Sequence, residues 1–121
     1  MTPTPNRPLD GKSVMGAPLV SDALPSLAED LRRLLLEQGE IDLAAEVAGL
    51  RIVDRCRCGD DFCATFYVRP KPMGAYRRNH RNIELTPKEG MLILDIVGDN
   101  IACVEVLYND QIKSALDRIL P

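Results

Sequence analysis

Long hydrophobic runs are missing from this sequence. The longest, Leu34-Leu35-Leu36 and Met91-Leu92-Ile93-Leu94, fall far short of the roughly 20 apolar residues a membrane helix needs, so no membrane partner is expected. A basic-then-apolar leader is missing too. Met1 to Asp10 is polar and rich in Pro and Thr, which makes a cytoplasmic location the expectation. There is a single histidine, His80. A P-loop, a dinucleotide glycine fingerprint, a Gly-x-Ser-x-Gly elbow and a His-Glu-x-x-His pair are all absent. These absences favour a non-enzymatic binding protein over an enzyme without excluding one. An excess of base is lacking as well: 15 basic against 18 acidic residues give a net charge of −3. That balance argues against a chain devoted wholly to nucleic acid.

What remains is 121 residues, 45% of them apolar, enough for one core and too few for two. Residues 1–20 read as a flexible tail, because Pro3, Pro5, Pro8, Pro18, Gly11 and Gly16 break any period. Residues 21–121 then form one domain. Leu24, Leu27, Leu31, Leu34 and Leu35 keep helical spacing, Ser26 and Glu29 have the spacing of a capping box, and Gly39 stands where a helix stops. A shorter helix is expected from Asp42, as N-cap, to Gly49.

Strand patterns follow. Leu50–Cys58 and Phe62–Val68 flank Gly59-Asp60-Asp61, which is turn chemistry. A three-residue turn sorts the faces best, opposing Cys58 to Phe62, Cys56 to Ala64, Asp54 to Phe66 and Ile52 to Val68. Residues 69–81 show neither period and read as a long loop, with a short strand to follow at Asn82–Thr86. A second hairpin spans Met91–Val97 and Ile101–Tyr108, opposing Leu92 to Val106, Leu94 to Val104 and Ile96 to Ala102. A last helix, capped by Asp110, buries Ile112, Ala115, Leu116, Ile119 and Leu120. The expected fold is α+β: an antiparallel meander of about five strands with N-terminal and C-terminal helices packed on one face.

Three constellations carry chemistry. The first is Cys56, Cys58 and Cys63, three cysteines in eight residues, with Cys103 or His80 as a fourth ligand for zinc. Their Cys-x-Cys-x4-Cys spacing is not that of paired knuckles, and the three-residue turn sets Cys63 on the face opposite Cys56 and Cys58. The expectation is therefore no cofactor and two small buried thiols, with zinc as the alternative. A thiol-dependent enzyme or redox protein is a further alternative, since Arg55 and Arg57 would favour a Cys63 thiolate.

The second is basic. Residues 51–81 hold eight bases against three acids, a local charge of +5 in a chain that is otherwise −8, and four of the five aromatics. Arg55, Arg57, Arg69, Lys71, Tyr76, Arg77, Arg78 and Arg81 are the candidate contacts with an acidic partner, either RNA or a protein. An immunity or antitoxin-like protein would fit that size and class. The third is Asp95, Cys103 and Glu105 on the less apolar face of the last hairpin. Two carboxyls there suit acid–base work or a cation, but an apolar face with acids at its rim is the plainer reading.

Arg55-Cys56-Arg57-Cys58-Gly59, with Ile101 to Leu107 later in the chain, resembles a group of small bacterial proteins of unassigned activity that carry an Arg-Cys-x-Cys-Gly motif. The likeness spans residues 52–107. In that group a third cysteine often follows the glycine directly, whereas here Asp60, Asp61 and Phe62 intervene before Cys63. The resemblance implies a bacterial, cytosolic source.

Overall fold

The computed structural model describes residues 16–76 and 79–121. The first 15 residues of the expected tail, together with Arg77 and Arg78, lie outside them. Four helices and five strands follow one another as α1 (Val20–Ala23), α2 (Pro25–Glu37), α3 (Ile41–Glu46), a 3-10 turn (Val47–Gly49), β1 (Asp54–Arg55), β2 (Phe66–Tyr67), β3 (His80–Leu85), β4 (Met91–Val97), β5 (Asn100–Leu107) and α4 (Asp110–Ile119).

The leucine spacing of α2 buries Leu27, Leu31, Leu34 and Leu35, as expected. Its end is a Schellman motif: Glu40 N–H reaches Leu35 O at 2.9 Å and Gly39 N–H reaches Leu36 O at 3.0 Å. The start differs, because Pro25 occupies the first helical position and no side chain caps it. In α4 the cap is Asn109 rather than Asp110, its side chain accepting from Ile112 N at 3.1 Å.

All strand pairs are antiparallel, in the order β1-β2-β5-β4-β3. The last three strands make a meander, and the β1–β2 hairpin is added at the free edge of β5 instead of beside β3. One face of the sheet carries Phe66, Ile83, Leu85, Leu92, Leu94, Val104 and Val106, which join the helices in a single core. The last hairpin has Leu92 opposite Val106 and Leu94 opposite Val104, as its faces require. A bulge after Asp95 then shifts Ile96 to face Ile101, not Ala102, and the turn closes on two residues, Gly98 and Asp99.

The packed body also begins earlier than residue 21. Leu19 bridges Arg51, Ile52 N–H donates to Pro18 O at 2.8 Å, and Val20 is wholly buried. This pairing takes residues 50–52 away from the first hairpin, and that has consequences for its register.

Candidate metal centre and the groove beside it

In the first hairpin Asp54 faces Tyr67 and Arg55 faces Phe66. This is one residue out from the register that the three-residue turn implied, and the correction turns every side chain of one strand over. The expected register weighed Ile52, Cys56 and Cys58 as one buried row. Ile52 is indeed buried, but it lies ahead of β1 and is held by Pro18, so it does not share the alternation of the strand. Cys56 is half-buried and Cys58 is exposed. Cys56 N–H donates to Thr65 O at 2.9 Å, which continues the observed register towards the turn. Cys56, Cys58, Cys63, Thr65 and Tyr67 therefore share the sheet face that the helices leave open.

The turn completes the cluster. Gly59 adopts φ 83°, a left-handed conformation that a side chain would strain, and the chain reverses directly after Cys58. Cys63 N–H donates to Asp60 O at 3.2 Å. The three sulfur atoms come within 4.8 Å of one another. Tetrahedral zinc with thiolate ligands needs sulfur–sulfur separations of about 3.8 Å, a contraction within reach of side-chain rotation.

The electrostatics are those of thiols sharing protons. The Asp60 backbone N–H favours a Cys58 thiolate, but the hydrogen bonds with Cys56 and Cys63 prevail and push this thiol up to about 11. Burial opposes ionisation of Cys63, yet the Thr65 hydroxyl and N–H, helped by Cys58 and Cys56, bring its pKa below that of a free thiol. The Thr65 oxygen accepts from Val106 N at 3.2 Å, which leaves its own proton to donate. Arg57 and Lys113 line the outer side of the cluster together with Asp60 and Asp117, so the charge there is mixed.

On the inner side Cys56 and Cys63 open into a groove of about 380 Å3, whose other walls include Tyr67, Tyr76, Asp95, Cys103 and Glu105. Tyr67 faces Cys103, and Cys103 faces Asp95, so these three form one row across β2, β5 and β4. Asp95 is buried and its Oδ1 receives Asn82 Nδ2 at 2.7 Å and lies 2.8 Å from His80 Nε2. A hydrogen bond to Asp95, then burial, then the Asp95 charge raise Glu105 to about 7. Burial and the same two carboxyls push the Cys103 thiol far up, so it stays protonated.

The other expected site residues are scattered. Arg55 was expected on an exposed basic face. The register turns it to the helix side, where it is buried and bonded to Asp117 at 2.8 Å and to Leu120 O at 2.9 Å. Arg57 meets Asp54 and the Pro121 carbonyl, Arg69 stands 4.0 Å from Glu46, and Arg81 pairs with Glu40. Lys71 sits 5.9 Å from the centre of the Tyr67 ring. Tyr76 is half-buried against His80 and faces the groove, not solvent. His80 itself is no fourth metal ligand. It belongs to β3, four strands from β1, about 19 Å away at the usual strand spacing. Among the described residues the metal-competent group is Cys56, Cys58 and Cys63 alone.

Asp95 and Glu105 belong to the groove, a role that the alternation of β4 and β5 hinted at and that the rim reading passed over. No helix among the described residues is long and apolar enough to cross a membrane. Comparison of the chain with protein-family models, with curated proteins and with solved structures returns no match.

Proposed function

We propose that this chain is a small metal-binding protein in which Cys56, Cys58 and Cys63 hold one soft divalent cation, zinc before others. The observation that carries the reading is the meeting of three thiols within 4.8 Å on one sheet face. Two of them follow β1 through Cys-x-Cys spacing and the third precedes β2, so the end of the hairpin is the cradle. Thiols this close oppose one another's ionisation, and hydrogen bonds with its two neighbours hold the Cys58 thiol up at about 11; a cation would balance the charge that thiolates bring. Three thiolates leave a tetrahedral ion with one further position, and the groove lies next to it.

An anionic-partner surface has less support. The arginines proposed for it at 55, 57, 69 and 81 each have a carboxylate partner within the molecule and point in different directions.

Titration with Co2+ as a spectroscopic stand-in for zinc tests the proposal. One equivalent is expected to produce sulfur-to-cobalt charge-transfer absorption that zinc abolishes. Cys58→Ser, at an exposed position, is expected to lose the signal while keeping its circular dichroism. Cys103→Ser, away from the cluster, is expected to keep it. A chain that takes up no Co2+ through its thiols would overturn the metal reading.

A further inference from the structure

The groove has chemistry that the metal centre does not use. Its floor holds two carboxyls from adjacent strands, Asp95 of β4 and Glu105 of β5, and among the described residues neither has a lysine or arginine partner. Tyr67 and Tyr76 stand beside them. The Tyr76 hydroxyl is buried and has no hydrogen-bond partner among the described residues, an expensive state for a polar atom in a folded chain. The Tyr67 ring already has an ammonium near its face, that of Lys71 at 5.9 Å. The volume, about 380 Å3, is at the lower end of what small-molecule pockets enclose.

Each of these features answers to the same ligand. A positive charge placed between two carboxyls offsets their mutual repulsion. Its N–H groups have the carboxylate oxygens and the Tyr76 oxygen as acceptors, and its alkyl stem has the two rings as walls. An inorganic ion fits less well, because Asp95 Oδ1 is already committed to His80 and Asn82. We propose that the groove is a binding site for a small organic cation, a primary ammonium or a guanidinium, received by Asp95 and Glu105 and flanked by Tyr67 and Tyr76. This goes beyond the metal reading and does not depend on it.

Nuclear magnetic resonance titration of the full chain in an amine-free phosphate buffer tests it, with butylammonium, butylguanidinium and the neutral 1-butanol as probes. Both cations are expected to shift the amides of Tyr67, Asp95, Cys103 and Glu105 to saturation. Butanol is expected to bind at least about tenfold more weakly, a difference that one charge-assisted hydrogen bond accounts for. Glu105→Gln is expected to lower the affinity for both cations about tenfold, whereas Arg33→Gln, on the exposed side of α2, leaves it unchanged. Butanol binding as tightly as butylammonium would overturn the proposal in the unmodified protein. So would a folded Glu105→Gln chain that keeps the affinity of the original.

Discussion

A single carboxyl illustrates how much chemistry one position on an open sheet face acquires from its neighbours. Asp95 first, then burial, lift the Glu105 pKa to about 7, well above the unfolded value of about 4.3. Between those limits the folded chain binds more protons than the unfolded one. The contribution of this group to stability is thus complete below about pH 4 and is lost as the pH rises through 7. Glu105→Gln, fixed in the neutral form, is expected to be more stable than the original chain at pH 8 by about 1 kcal/mol, solvent screening holding the gain below the full shift. At pH 4 the two are expected to match, and urea unfolding at both pH values decides the matter. Arg55 makes the opposite point about charge. Its guanidinium is buried and ties β1 to the end of α4 through Asp117 and Leu120. Arg55→Ala is expected to cost about 2 kcal/mol in the same assay, through lost packing and a lost ion pair. Nothing in the local sequence distinguishes this arginine from Arg57, which is exposed. Two residues apart, they share a face in any register, and what separates them is the end of α4, which covers Arg55.

The elements themselves were legible wherever one periodicity dominated. The α2 leucine stripe, its Gly39 stop and the pairing of Leu92 with Val106 follow from spacing alone. The first hairpin was not legible, because Leu50 to Cys58 is not one element. Its first residues pair with Pro18 and Leu19, and only Asp54 and Arg55 form a strand with β2. A contact between segments some thirty residues apart leaves no local trace, and the face assignment of Cys63 turned on it. Turn chemistry is more constrained than strand register. Gly90, ahead of β4, has φ 74°, and a Cβ there would collide with the carbonyl oxygens of Leu107 and Tyr108. Gly90→Ala is expected to destabilise the chain by about 2 kcal/mol or more, since backbone strain and a steric clash act together. Thermal denaturation measures that loss.

For the molecule as a whole, the division of labour lies between the two faces of one sheet. The covered face is a conventional apolar core, whose α2 and β4–β5 members followed from the sequence, while Val20 joined it and Cys56 and Cys58 stayed out against expectation. The open face brings the cysteine turn, itself visible as a linear motif, beside Tyr67 of β2, Asp95 of β4 and Glu105 of β5, a neighbourhood no linear motif displays. If a metal binds there, its affinity is linked to folding. At a free metal concentration 100 times Kd, stability is expected to rise by about 2.7 kcal/mol. For a domain of this size that is on the order of 10 °C in Tm. A chelator titration followed by scanning calorimetry is expected to reverse the gain, and Cys56→Ser to abolish it.

The strand order also sets a schedule. Cys63 bridges Leu107, and β2 lies between β1 and β5, so the cysteine turn is made long before the strand against which it rests. At synthesis rates of about 5–20 residues per second, the interval between Cys63 and Leu107 leaving the ribosome is about 2–9 s. For that time the three thiols exist on a chain with no sheet to hold them. The hairpin that carries them gains its neighbouring strand late, when β5 arrives. If those sulfurs serve a metal, a newborn chain has to keep them reduced until then.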